Sequence, residues 1–426
     1  MKLTAADRQP PDAVAASSEP AAHSTLSILR TYADFRLLAI GTVGSQAGQW
    51  ILNITLGWLM LELTDAALWV GLVGFAAGVP MVLASVPAGI LLDRFDRRRV
   101  LIACQAGMLL VALVLAGIVV ADFANRWWVL GAAFVYGALM AINNAGRQTV
   151  VPATVPRAAL PAAFGLTSAA TQSSRIVGPS LAGVLIGSFG VAAALIFQVV
   201  VLIFTLWAST LLSPAVSGHA ALGGGSGSML DGLRYVRRHR LALHLTLLAA
   251  IPMMFAFPYL QLLPVFARDI LDVGASGLGL MMAMSGVGAI TGGLLTGRAS
   301  RIGPLGLFVL VATIAYGGIV LVVAFSTSVY LTIPAIMIGS MTGSTFQSLN
   351  NTLFQLQIED EVRGRATGVY MLAFGAYALG GLPLGVAAEL LSPQWAVASG
   401  ALISSGFAAL LLLHSREIRN LRKPTD

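Results

Sequence analysis

Stretches of about 20 apolar residues, the length an α-helix needs to cross a hydrocarbon layer roughly 30 Å thick, return repeatedly between residues 37 and 413. A soluble fold could not cover that much apolar surface: only 10% of the residues are charged, against roughly 25% in soluble domains. The runs predict twelve membrane-spanning helices at about 37–61, 67–90, 100–121, 127–146, 163–187, 190–212, 242–266, 276–297, 304–325, 329–349, 366–388 and 394–414. Backbone amides find no water inside lipid, so the fold class is an all-α integral membrane protein. The 46 glycines suit helices that pack closely without a hydrophobic force between them.

The net charge of +7 does not point to nucleic acid, because the basic residues stand in short segments between the runs. Arg30 and Arg36 come first, then Arg94, Arg97, Arg98 and Arg99, then Arg147 and Arg157, then Arg234, Arg237, Arg238 and Arg240. Arg298, Arg301, Arg363, Arg365, Arg416, Arg419, Arg422 and Lys423 continue the series. In a bundle of twelve spans all of these fall on one side, while the other side holds only Arg126 and Arg268, each beside acids. The positive-inside bias therefore predicts that both termini are cytoplasmic. Residues 1–30, rich in Ala, Pro and Ser, read as a disordered cytoplasmic tail with no signal-peptide core. The single cysteine, Cys104, allows neither an intrachain disulfide nor a cysteine metal cluster.

The chain repeats itself. Gly89-Ile-Leu-Leu-Asp93-Arg94-Phe-Asp96-Arg97 can be laid on Gly293-Leu-Leu-Thr-Gly297-Arg298-Ala-Ser-Arg301, and Asn143-Asn144 is echoed by Asn350-Asn351. These matches predict two pseudo-symmetric six-helix bundles at 31–212 and 241–415, a linker at 213–240 and a tail at 416–426, with a substrate site between the bundles. Gly223–Ser228 has the composition of a flexible linker. Met229, Leu230, Leu233 and Val236 share one face of a short helix whose arginines lie elsewhere, which predicts contact with anionic lipid.

Gly89, Asp93, Arg94, Arg97, Arg98 and Arg99 between the second and third helices resemble the signature loop of the major facilitator superfamily. One departure is Asp96, where that family usually has glycine; aspartate tolerates left-handed backbone better than most residues. Asn143–Pro152, Ser174-Arg175-Ile-Val-Gly178-Pro179-Ser-Leu-Ala-Gly183 and Val362–Tyr370 are similar to the enterobactin-exporter-like and drug–proton antiporter branches. The resemblance implies a secondary transporter in the bacterial inner membrane that exports a siderophore-like or drug-like molecule by alternating access, with a proton as coupling ion. It also implies that Asp93 latches the cytoplasmic side shut, with Arg147 and the region of Arg365 as partners, and that Gly178, Pro179 and Gly183 bend the fifth helix as in drug antiporters. A multidrug or macrolide efflux pump is the alternative, followed by a solute importer or a membrane sensor without flux.

Arg175 is the one charged side chain expected deep in the membrane, where it costs about 3 kcal/mol on insertion scales. It should face a polar cavity or a partner, with Thr171, Gln172 and Ser174 beside it. Its functional reading is an anchor for an anionic cargo group, and its structural reading is a hydrogen bond to carbonyls or to Asn144. Gln46, Gln49 and Asn53 fall on one face of the first helix, adjoined by Trp50. Tyr136, Gln261 and Tyr370 complete the expected cavity lining, together with polar residues of helix ten and Met and aromatic residues of helix seven. No acid is expected in mid-helix, which favours neutral or anionic cargo over lipophilic cations. Without a phosphate-binding loop, a metal-ligand cluster or a nucleophile triad, the sequence predicts no enzyme, cofactor or metal. The expected partners are a small-molecule substrate, a proton and membrane lipid.

Overall fold

A computed structural model describes residues 27–213, 229–299, 304–359 and 362–421, and among these there is helix and no strand. The expectations for the tail 1–26, for Gly223–Ser228, and for Arg301, Arg422 and Lys423 lie outside the described residues.

The long elements before the linker are α1 (Ala33–Thr64), α2 (Ala67–Arg94), α3 (Arg97–Val120), α4 (Arg126–Thr154), α5 (Leu160–Phe189) and α6 (Val191–Thr210). A short helix α7 (Met229–Arg238) leads into α8 (Arg240–Ile251), which an irregular stretch extends to Ile270. There follow α9 (Gly274–Ala299), α10 (Leu305–Phe325), α11 (Val329–Leu356), α12 (Arg363–Leu390) and α13 (Pro393–His414). Among the described residues ten helical segments are long and apolar enough to cross a membrane. α1 and α5, with 32 and 30 residues, exceed the length required, but Gln46, Gln49 and Asn53 in one and Thr171, Gln172 and Arg175 in the other dilute their apolar character. These two more polar helices pack against each other.

Local chemistry sets the helix ends. Asp96, Asn125 and Ser392 accept backbone N–H bonds from the first turns of α3, α4 and α13. Asp65, Asp122 and Asp272 turn three connections with left-handed backbone. Asp96 itself has φ −55°, so the position needs no left-handed residue, and its carboxylate serves as a cap instead. The seventh span is not one helix. Pro252, Pro258 and Pro264 each remove an amide donor, and the chain passes through a π turn (Pro252–Ala256), a 3-10 stretch (Phe257–Leu262) and a second π turn (Phe266–Ile270).

One packing scheme occurs twice. α1 packs on α5 and α6, α2 on α4, and α3 on α4 and α6; the seventh span packs on α12 and α13, α9 on α11, and α10 on α11 and α13. Asn143 and Asn350, the echoed pair, are both fully buried. Asn350 donates to the Leu245 carbonyl at 3.0 Å and to Tyr370 Oη at 3.1 Å. Between the two groups, α2 meets α12 and α5 meets α9.

Those two seams are tight over only part of their length. Backbone reaches backbone near Gly71 with Gly385, Gly78 with Ala378, and Gly183 with Gly279, and α5 still touches α9 where Gly286 meets Arg175 and Ile176. All these positions lie in the halves of the helices remote from the chain ends. On that far side Arg268 Nη1 reaches Asp65 Oδ1 at 2.9 Å and donates to the Leu61 carbonyl at 3.0 Å. A Cβ on Gly165, Gly293 or Gly368, in the near halves of α5, α9 and α12, would meet nothing within 4 Å.

α7 differs from its expected place on lipid. Val236 is buried, α7 packs on α12, and Asp231 pairs with Arg365 at 3.8 Å, although Leu233, Arg234, Arg237 and Arg238 are exposed.

Candidate functional site

Between the two groups of helices lies a cavity of ≈ 650 Å³, of a size ordinary for small-molecule sites, lined by α1, α2, α4, α9, α12 and the irregular part of the seventh span. Of the expected lining residues, Gln49, Asn53, Tyr136 and Gln261 stand along this cavity, and so do Trp50 and Tyr377. Met81, Met282, Met371 and Phe374 supply adaptable apolar wall, and among the described residues none in the lining is acidic or basic. The helical periodicity of α1 explains why Gln49, Trp50 and Asn53 arrive together.

Arg175 stands behind that wall. Its guanidinium carbon lies 5.6 Å from the centroid of the Trp50 ring, a cation–π arrangement. The side chain has neither an ion pair nor a hydrogen bond among the described residues, and Tyr259, Tyr316 and Tyr377 lie within its electrostatic reach. It sits near the middle of α5, where Gly286 of α9 packs on its carbonyl. The expected alternative partner, Asn144, instead accepts from Gln46 Nε2 at 3.5 Å.

Other expected residues lie elsewhere. Gln46 is half-buried between α1 and α4, and Gln172 is half-buried on α5 outside the lining. Tyr370 is fully buried inside the second group, stacked on Phe354 with ring centroids 4.3 Å apart and bound by Asn350. Tyr136 lines the cavity with its ring, while its hydroxyl turns toward buried Gln198 without a well-formed hydrogen bond.

The loop motif is split. Asp93 and Arg94 are exposed, Arg98 donates to the Thr210 carbonyl, and Arg97 is buried with Nη1 3.3 Å from the Thr149 carbonyl. Arg147 was expected just beyond the fourth helix, yet α4 runs on to Thr154 and buries it. Its Nη1 donates to the Leu38 carbonyl at 3.2 Å and to Thr42 Oγ1 at 3.3 Å, and Nη2 donates to the Gln105 amide oxygen at 2.7 Å when that amide is turned to satisfy both its ends. Arg175 is thus not the only arginine enclosed by the spans. Arg147 and Asp93 are not joined here, and Arg365 pairs with Asp231.

Gly178, Pro179 and Gly183 do allow close approach. A Cβ on Gly178 would meet Trp50 Cβ at 2.7 Å, and one on Gly183 would meet Gly279 N at 2.7 Å. Of the glycines in the second half of α9, Gly286 packs on α5, while Gly288 and Gly292 face α11 and a Cβ on Gly293 would meet nothing within 4 Å. Gly279 and Ser276 at the start of α9 are the residues that face Gly183 and Gly187 of α5.

Two groups of helices with the same internal packing, meeting around a cavity sealed at one end, define a membrane transporter of the major facilitator fold. The model of the transmembrane secretion effectors matches residues 23–424, and the chain belongs to that family. It is 24% identical to the staphyloferrin A transporter of Staphylococcus aureus (strain NCTC 8325 / PS 47) over 80% of this chain and 86% of that one. It is 25% identical to the enterobactin exporter EntS of Citrobacter koseri over 94% of this chain and 96% of that one. The fold is similar to a mutant of the nucleoside transporter NupG, with TM-score 0.72, 14% identity and coverage of 90% and 100% of the two chains. It is also similar to a bacterial homologue of the human lysosomal transporter Spinster in an inward-facing, unoccupied conformation, with TM-score 0.68, 12% identity and coverage of 96% and 100%.

Proposed function

We propose that this protein exports an anionic or neutral small molecule, siderophore-like in character, from the cytoplasm by alternating access. The observation that carries the reading is Arg175, a cation without an ionic partner among the described residues, standing beside a cavity with no acid in its described lining. An acid-free wall disfavours lipophilic cations, and a guanidinium stacked on Trp50 suits a carboxylate or phenolate with a flat substituent. The relatives that transport staphyloferrin A and enterobactin agree with such cargo.

The arginine-rich side is read as cytoplasmic, so the sealed far side is external and the present state opens inward. The helices of 31–212 and 241–415 then act as two rocking units, with Asp93 available to latch the cytoplasmic side when it closes. A proton is proposed as coupling ion from kinship, and abolition of export by an uncoupler tests it.

Export of a radiolabelled anionic siderophore from loaded cells measures the main claim. Removing a charged hydrogen-bond donor costs about 1.5–3 kcal/mol, so Arg175→Ala should weaken cargo binding about 10- to 150-fold while expression stays normal. Export by that variant at the normal rate and half-saturation would overturn the reading. The methionine-rich wall favours a second reading, multidrug efflux; undiminished export of neutral lipophilic compounds by Arg175→Ala, with no export of anions by the wild type, would select it.

A further inference from the structure

Gln261 does more than line the cavity. It belongs to the 3-10 stretch of the seventh span, which packs with α12 in the second group, yet its side chain crosses the seam to the first. A Cβ built on Gly74 of α2 or on Gly381 of α12 would overlap the Gln261 amide oxygen. The amide therefore occupies a slot that exists only because both facing residues are glycine, one from each side of the seam.

The slot lies within the far-side seal. Gly71 and Gly78 flank Gly74 on α2, and they meet Gly385 and Ala378 around Gly381. When α2 and α12 part, the slot opens. While they touch, the Gln261 oxygen is buried without a protein hydrogen-bond partner among the described residues, and the amide nitrogen reaches the Tyr377 carbonyl at 3.5 Å.

We propose that Gln261 is a positioning residue for transport: its amide keys the far side shut by filling the Gly74–Gly381 slot, and its unsatisfied oxygen keeps that closure reversible. Steric fit favours the closed seam, because an empty slot would forfeit contacts on every wall. The orphaned acceptor opposes it, because opening returns the oxygen to water. The two terms oppose each other, which keeps the two conformations closer in free energy than steric fit alone would leave them, as a cycling carrier requires. Tyr377 and Gln261 share the cavity lining, so bound cargo touches the element that carries the key. The inference rests on the transport reading, but the key itself can be read without cargo.

The test places spin labels on cysteines substituted for Phe123 and Tyr330, which are 75% and 89% exposed in far-side segments of the first and second groups. The background is full-length protein with Cys104→Ala, reconstituted in lipid. The wild-type key should give mainly the short inter-label distance. Gly74→Ala, which blocks the slot, and Gln261→Ala, which empties it, should each raise the ratio of long to short distances about tenfold. The double variant places a methyl group where the amide was, and should fall back toward the wild-type ratio, a non-additivity expected only of groups in contact. Strictly additive single effects, or no lengthening in either, would overturn the proposal. Should Gly74→Ala yield no folded protein, Gln261→Asn reads the same point: the shorter side chain keeps the amide but cannot reach the slot, so lengthening supports the key and a wild-type distribution overturns it. In parallel, Gln261→Asn should lower maximal export several-fold more than it raises the half-saturating cargo concentration; an effect on half-saturation alone makes Gln261 a plain binding residue. Wild-type protein that moves no cargo defeats the export reading and leaves the distances interpretable.

Discussion

Arg268 is the ionic fastening of the far side, and its contribution can be worked from its contacts. Nη1 pairs with Asp65 at 2.9 Å, but the Asp65 side chain is 81% exposed, so the pair is worth only about 0.2–1 kcal/mol. The same nitrogen donates to the Leu61 carbonyl at 3.0 Å, and a charged donor on a carbonyl adds about 1.5 kcal/mol. Nε bonds to Asp269 next to it in sequence, a contact that does not cross the seam and survives opening. Arg268→Ala should therefore shift the far-side equilibrium toward open by about 2 kcal/mol, close to 30-fold. Asp65→Asn removes only the ion pair and should shift it by no more than about fivefold, an effect that disappears in 1 M salt, where the screening length is about 3 Å. Distances between spin labels at positions 123 and 330 measure both. An unchanged ratio in Arg268→Ala would refute the reasoning, and so would an Asp65→Asn effect as large and independent of salt.

Asp93 is exposed and makes no hydrogen bond or ion pair among the described residues, so Asp93→Asn should leave thermal stability within about 0.5 kcal/mol while cutting export in an accumulation assay; unaltered export would remove the latch. Tyr370→Phe deletes one buried hydrogen bond, from Asn350, and should lower stability in detergent by about 0.6–1.5 kcal/mol without changing half-saturation for cargo. A clear rise in half-saturation would place Tyr370 at the site.

The spans and their order were legible because lipid leaves a chain few choices: every apolar run must become a helix, and most observed ends fall within a few residues of those expected, the exceptions being the C-terminal ends of α4 and α11, at Thr154 and Leu356 rather than 146 and 349. The longer α4 decided the reading of Arg147. A single arginine after an apolar run looks like a loop anchor, and only the carbonyl of Leu38 and the hydroxyl of Thr42, residues far away in the chain, explain how it stays inside. The polar stripe of α1 was legible from spacing alone, and Gln49 and Asn53 do reach the cavity. Tyr370 shows the limit, since helical spacing says which residues share a face and not which neighbour that face meets. The breaks in the seventh span were written in Pro252, Pro258 and Pro264, yet the slot that receives Gln261 depends on Gly74 and Gly381, and no local rule joins those three positions.

The charge of Arg175, beside the cavity and without an ion pair among the described residues, has an electrical consequence for the transport cycle proposed above. An empty carrier moves a positive site through whatever fraction of the field it traverses, whereas one holding a monoanion moves none. With the interior negative, inward return of the vacant site gains up to about 2.3 kcal/mol per 100 mV, and outward passage of the filled site is indifferent to voltage. The resting potential would then reset the pump after each delivery. Transient currents in reconstituted membranes should be seen with vacant protein and fade as anion is added; silence in the vacant state would show that this arginine stays outside the field.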